Sequence, residues 1–251
     1  MTSLPRLIAF DLDDTLAPSK SPVDPQMLTV FSELLQRTTV AVISGGNFEQ
    51  FEAQLVSRLE GVDEGSLERL HLLPTCGTRY ERRSDGAWST IYRENLSETE
   101  RDAAFAALRE EAERLGLWES ETWGEILEDR GSQVTFSALG QRAPVEVKQA
   151  WDPDGAKKNA LRQAVAARLP ELEVRSGGST SVDITRAGID KAYGMRKLAE
   201  HTGIPLAEML FVGDRLDPEG NDYPVLALGV PCRAVAGWEE TVEFLEQLLA
   251  D

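Results

Sequence analysis

Apolar residues return along this chain in two rhythms. Short unbroken apolar runs occur at "LIAF" (7–10), "TVAVIS" (39–44), "LHLLPT" (70–75) and "MLFVGD" (209–214). Runs of that length predict strands buried on both faces. Between the first three lie segments with helical spacing. "MLTVFSELLQRT" places Met27 to Leu35 at that spacing, and "NFEQFEAQLVSRL" puts Phe48, Phe51 and Leu55 on one face. Strand alternating with helix is the signature of a parallel sheet with crossover helices.

The rhythm changes after about residue 79. A hairpin is predicted around Asp85–Gly86, then a charged helix from Glu98 to Leu115. Strand-like pieces follow at "GEILEDR" and "SQVTFSAL", a helix at "GAKKNALRQAVAARL", and short strands at "LEVRS" and "TSVDIT". Antiparallel strands mixed with helices describe a separate α+β module. The first rhythm then returns: "KAYGMRKLAEHTG" is a helix stopped by Gly203, "MLFVGD" and "VPCRAV" are strands, and "WEETVEFLEQLLA" is a closing helix. The expected fold class is therefore α/β, a Rossmann-like core with a parallel sheet. The core spans 1–78 and 186–251 and is interrupted by an inserted α+β domain at 79–185.

Composition narrows the function classes. The 251 residues suit one large domain or two modest ones, at roughly 100–200 residues each. Forty-three Asp and Glu against 26 Lys and Arg give a net charge of −17, which argues against nucleic acid or an anionic membrane as partner. No apolar run approaches a membrane span, and no basic stretch leads into an apolar block, so no signal peptide is expected. Cys76 and Cys232 lie far apart without metal-ligand spacing, so they are expected to be small buried apolar residues of a reduced, cytoplasmic protein. His71 and His201 are expected to be structural.

The candidate chemistry sits at strand ends, where open α/β sheets bind ligands. The first strand runs into "DLDDT", with Asp11 and Asp13. The second ends at Ser44, and the strand at 209–213 ends at Asp214. Lys191 opens the preceding helix, and Asp222 closes "GDRLDPEGND". Asp11, Asp13, Asp214 and Asp222 together suit a hard divalent cation, and Mg²⁺ fits a few carboxylates plus a substrate phosphate. Asp14, Asp217 and Glu219 read as solvated loop acids.

"DLDDT", Ser44 in "VISGG", Lys191 in "GIDK" and "GDRLDPEGND", in that order, resemble the haloacid dehalogenase superfamily. The insert between the second and third elements resembles the large α/β cap of its Cof and phosphomannomutase-like branch. Within that branch the chain is most similar to the eukaryotic-type phosphomannomutases and their bacterial relatives. The likeness lies in the long spacing of "GDRLDPEGND", in "GGSTSVDITRAGIDK" and in "RGSQVTFSALGQR". The resemblance implies a cap that closes over the core and a phosphorylated-sugar substrate. In it Asp11 is the nucleophile that forms an aspartyl-phosphate, and Asp13 is the acid/base, its carbonyl also on Mg²⁺. Ser44, Gly45 and Lys191 hold the phosphoryl group, Asp214 and Asp222 bind the metal, and Asn221 orients nearby groups. Ser181 and Asp183 touch the sugar or its distal phosphate. A cationic grip on that phosphate is implied at Arg130, at Arg142 beside Gln141, at Lys148 and at Lys20. The chain departs from the mutase pattern there: Gln141, Lys148 and Lys20 stand where arginines are usual, and Lys does not replace a bidentate Arg. Ser44 also suits the phosphatases better than the mutases. The expectation is a Mg²⁺-dependent sugar-phosphate phosphatase, with a phosphohexomutase as the alternative and a non-catalytic sugar-phosphate sensor behind both. A homodimer is left open.

Overall fold

The computed structural model describes residues 4–250, with Val145 by its backbone alone. In chain order the elements are β1 (Leu7–Phe10), α1 (Pro25–Arg37), β2 (Thr39–Ile43), α2 (Phe48–Gln54), α3 (Glu64–Leu67), β3 (Leu70–Leu73), β4 (Arg79–Ser84) and β5 (Ala87–Arg93). There follow α4 (Glu98–Arg114), β6 (Leu127–Asp129), β7 (Gln133–Ser137), α5 (Val145–Trp151), α6 (Ala156–Arg168), β8 (Leu172–Ser176) and β9 (Ser181–Arg186). Last come α7 (Lys191–Thr202), β10 (Met209–Gly213), α8 (Tyr223–Ala227), β11 (Cys232–Ala234) and α9 (Trp238–Ala250). The chain divides into two compact units, Met1–Arg93 with Asp190–Asp251, and Glu94–Ile189. No helix among the described residues is long and apolar enough to cross a membrane.

The first unit is built on a seven-stranded sheet in the order β11-β10-β1-β2-β3-β4-β5. The five strands from β11 to β3 are parallel, and β4 and β5 add an antiparallel hairpin. Alternation explains why β1 reads as one apolar run. Ile8 and Phe10 join the cluster with Phe31 and Leu34 of α1 and Leu245 of α9, while Leu7 and Ala9 join Met195 and Leu198 of α7 on the opposite face. Each fully buried Phe or Leu of this kind is worth roughly 1.5–3 kcal/mol over leaving it in water.

Local signals set the helix ends. The Asp24 side chain accepts from the Gln26 N–H, with Pro25 at the first helical position. Asp190 likewise caps α7 by accepting from Tyr193 N–H, and Gly203 ends that helix at φ 67°.

The second unit carries a four-stranded antiparallel sheet, β6-β7-β9-β8. Val134 and Phe136 of β7 and Val182 and Ile184 of β9 pack with Ala104, Ala107 and Leu108 of α4 and with Leu161 and Val165 of α6. The alternate positions, Thr135, Ser137, Ser181 and Asp183, form the polar face of the same strands. A Ser97–Glu100 capping box starts α4.

The α/β class and the antiparallel insert agree with the hydrophobic pattern, but the boundaries differ. The insert expected at 79–185 is a unit at Glu94–Ile189. The hairpin β4–β5 stays with the large sheet because β4 pairs with β3, His71 opposite Arg82 and Leu72 opposite Glu81. A hairpin's own sequence records its turn, not the edge to which it docks. The two cysteines, expected to be buried, are both half-buried free thiols. Both histidines are packing residues, as expected. The buried His71 ring pairs through Nδ1 with the Tyr80 hydroxyl at 2.5 Å, and His201 stacks on Tyr92.

Candidate active site

The sheet order reverses at β1: β10 and β11 lie to one side, β2 and β3 to the other. That switch point is where an open α/β sheet leaves a crevice beyond its carboxyl ends. Asp11 follows β1, and its N–H continues the ladder to Val212 O at 3.0 Å. Phe10 lies beside Val212, so Asp214, two residues on, emerges next to Asp11.

Lys191, the first residue of α7, enters from the third side. Its ammonium lies 2.6 Å from Asp11 Oδ1 and 2.6 Å from Asp222 Oδ1, with all three residues buried. The other Asp222 oxygen accepts from the Arg215 N–H at 3.1 Å. Asp214 Oδ1 accepts from the Thr15 hydroxyl at 3.3 Å.

Asp11, Asp214 and Asp222 bring carboxylate oxygens within 4.8 Å of one another. One ammonium among three carboxylates, two of them buried and Asp214 half-buried, leaves two negative charges in excess. The titration shifts follow. Burial pushes Asp11 up to about 8, opposed by Lys191 and reinforced by Asp222. Burial, then Asp222, raises Asp214 too. Burial alone would lower Lys191, but Asp11 and Asp222 together hold it positive, well above its ordinary range. A divalent cation supplies the missing charge, and the all-oxygen donor set suits a hard one.

Asp11 is oriented with one oxygen committed. Oδ1 takes the Leu12 N–H at 2.7 Å as well as Lys191. No described residue donates to Oδ2. Ser44 follows β2, is buried, and its Oγ accepts from the Gly46 N–H at 3.2 Å.

The other expected residues fall in different places. The carboxylate of Asp13 is not a member of the acidic cluster. It accepts instead from the Lys20 N–H and from Gln50 and Gln54. Lys20 offers its backbone N–H there, at φ 53°. Gly45 lies beside Ser44 and is half-buried. Asn221 is exposed and makes no hydrogen bond to the cluster among the described residues. Asp14, Asp217 and Glu219 are exposed.

Arg130, Arg142, Lys148, Ser181 and Asp183 belong to the second unit. There Arg130 donates to Glu128 at 2.8 Å, Lys148 Nζ to the Gln141 carbonyl at 3.0 Å, and Thr135 to Asp183 at 2.8 Å. Arg142 is exposed, and Ser181 lies opposite Ser137.

Gln50, Gln54, Thr15 and the Arg215 N–H are site contacts that the sequence pattern does not single out. A signal exists for the two glutamines. They stand four apart in a predicted helix, which puts both amides on one face.

Several known proteins are similar to this chain along most of its length. A family model described as haloacid dehalogenase-like hydrolase matches residues 140–228. A probable phosphomannomutase of Caenorhabditis elegans is 24% identical over 98% of this chain and 96% of its own length. Phosphomannomutase 1 of Homo sapiens is 23% identical over 88% of this chain and 83% of its own. Among solved structures, a truncated IMP-nucleotidase of Plasmodium falciparum superposes with a TM-score of 0.71 at 15% identity, covering 96% of this chain and 69% of that one. A trehalose-6-phosphate phosphatase related protein gives 0.57 at 17% identity, covering 97% of each. The chain is thus similar to haloacid dehalogenase-like hydrolases over residues 140–228 and to phosphomannomutases along most of its length, which supports a phosphoryl-transfer role.

Proposed function

We propose that this protein is a Mg²⁺-dependent phosphatase of sugar phosphates that works through an aspartyl-phosphate on Asp11. The observation that carries the reading is the division of labour at Asp11. Lys191 and the Leu12 N–H fix Oδ1, while Oδ2 takes no donor from any described residue and is left to attack.

In the first step Asp11 Oδ2 forms a bond to phosphorus and the bond to the sugar oxygen breaks. Asp13 gives its proton to that oxygen. In the second step Asp13 takes a proton from water, whose oxygen attacks phosphorus. Inorganic phosphate leaves, and the Asp11 carboxylate is restored. Lys191 offers positive charge to the phosphoryl oxygens, and the Ser44 hydroxyl and Gly45 suit the same group. Asp11, Asp214 and Asp222, with the Asp13 carbonyl, would hold Mg²⁺, which supplies charge neutralisation of the transferring phosphoryl group when bound. The substrate assignment rests on the polar residues of the second unit, Arg130, Arg142, Lys148, Ser181 and Asp183, together with Lys20, and on the resemblance that singles them out.

A phosphohexomutase is the second reading. The match to phosphomannomutases along nearly the whole chain favours it. Against it stand Gln141, Lys148 and Lys20 at positions where the mutases use arginine, together with Arg130 already paired to Glu128. A mutase must grip a phosphate at each end of its substrate, and that needs strong cations.

The test compares phosphate release from hexose phosphates with interconversion of the 1- and 6-phosphates, with and without added hexose bisphosphate. Release in excess of isomerisation is expected, and Asp11→Asn should abolish it while leaving the fold intact. Bisphosphate-stimulated isomerisation with negligible release would promote the mutase. In that case Arg142→Ala should cost more isomerase activity than Gln141→Ala.

A further inference from the structure

Asp13 is held by two amides that have no task in the phosphatase steps. Gln50 and Gln54 lie one turn apart on α2. Gln50 Nε2 donates to Asp13 Oδ2 at 2.9 Å and to Gln54 Oε1 at 2.7 Å. Gln54 Nε2 donates to Asp13 Oδ1 at 3.1 Å and to the Ser21 carbonyl at 2.9 Å. Both hydrogens of each amide are thus spent, which fixes which end of each side chain is nitrogen. Gln54 is only 2% exposed. Gln50 is seated against Gly46, where a Cβ would come within 2.4 Å of its Oε1. Gly46 therefore leaves the room in which the Gln50 amide sits.

An ionised carboxylate offers about four acceptor positions. On Asp13 Oδ1 two are filled, by the Lys20 N–H at 2.7 Å and by Gln54. On Oδ2 one is filled, by Gln50. One position on Oδ2 remains.

We propose that Gln50 and Gln54 are positioning residues that fix the Asp13 carboxylate so that its mobile proton travels on Oδ2. This rests on the acid/base role proposed for Asp13. In the first step the Oδ2–H bond breaks as the sugar oxygen gains the proton. The carboxylate left behind is already solvated by three N–H donors, so no reorganisation is needed when its charge appears. In the second step the same position receives a proton from the attacking water. The donors also prevent rotation of the carboxyl group, which would turn the open position away.

The leaving group provides the test. An alkyl phosphate such as a hexose phosphate expels an oxygen that must be protonated, whereas p-nitrophenyl phosphate expels a stable phenolate that needs no proton. The value of kcat/KM reports steps through formation of the aspartyl-phosphate, so the later hydrolysis does not blur the comparison.

Full-length Gln50→Glu and Gln50→Met, assayed with Mg²⁺, should lose about 10- to 100-fold in kcat/KM on a hexose phosphate, a part of the roughly 10²- to 10⁴-fold that a positioned acid supplies. On p-nitrophenyl phosphate they should stay within about 3-fold of wild type. Gln54→Leu should show the same selectivity. If its burial makes it unfold, the Gln50 variants decide alone.

Equal losses on both substrates, or none on either, would overturn the inference. Asp13→Asn run in parallel separates the two levels. If Asp13→Asn is leaving-group selective and the Gln50 variants are not, the positioning role falls and the acid role stands. If Asp13→Asn shows no selectivity, both fall. Wild-type protein inert toward both substrates also overturns both.

Discussion

Lys191→Met is the sharpest single perturbation of this molecule. The two side chains are similar in length and volume, so the change removes the charge while keeping the packing. In the wild type the ammonium sits 2.6 Å from both Asp11 and Asp222, and the lysine is 1% exposed. Removing one partner of a buried ion pair typically costs about 3–5 kcal/mol, because the other partner is left charged and unsolvated.

An upper bound follows from proton uptake. A stranded carboxylate escapes by protonating, and holding a proton costs about 1.36 kcal/mol for each pH unit above the ordinary value of 3.8. For one carboxylate the bound is about 3 kcal/mol at pH 6 and about 5.7 kcal/mol at pH 8. The sign is fixed by linkage. A carboxylate whose folded-state pKa is raised binds more protons folded than unfolded between about pH 4 and the raised value, so stability falls as pH climbs through that window. Asp11 is already raised in the wild type, so within pH 6–8 the added penalty comes from the other carboxylates of the cluster, which lose the ammonium's charge.

Chemical denaturation without metal, at pH 6 and pH 8, should therefore show a penalty of about 3–5 kcal/mol at pH 8 and a clearly smaller one at pH 6. For a chain of this size that is a fall of roughly 6–20 °C in Tm at the higher pH. Mg²⁺ should recover part of the loss, by neutralising the same carboxylates. A penalty below about 1 kcal/mol at pH 8, or one that is larger at pH 6, would refute the charge argument.

Three further outcomes are expected. Chelation should stop turnover, Mg²⁺ should restore it and Ca²⁺ should support it poorly, because a larger and looser coordination shell misplaces the nucleophile; full activity in excess chelator would refute the metal assignment. Arg130→Ala should raise KM for a phosphorylated sugar far more than for a small aryl phosphate, and an equal effect on both would remove Arg130 from substrate recognition. Gly77→Ala should destabilise by more than about 1 kcal/mol in a urea titration, since Gly77 has φ 87° and an added Cβ would meet Gly194 Cα at 2.5 Å; wild-type stability would show that this contact between the turn after β3 and α7 can relax.

Much of this protein is legible in its sequence. Phe31, Leu34 and their neighbours declare α1 by spacing, and Asp24 and Gly203 declare helix ends by cap chemistry, because these signals are local. The carboxylates at Asp11, Asp13 and Asp214 and the cation at Lys191 are likewise marked as a candidate site, because strand-end and helix-start position is also written locally.

What depends on distant pairing is not legible there. The hairpin at 79–93 reads the same in either unit, and only its ladder to β3 assigns it to the large sheet. In the sequence Asp13 is one more acid among the carboxylates, yet its carboxylate faces Gln50 and Gln54 on a helix some forty residues away. Which residue types stand at the ends of which elements is settled locally, since the hydrophobic period and the caps act over a few residues. Which of those ends meet is set by tertiary contacts, and with it which carboxylates share the buried charge of Lys191 while Asp13 faces Gln50 and Gln54 instead. Burial and charge coupling act across space, between residues that the chain keeps far apart.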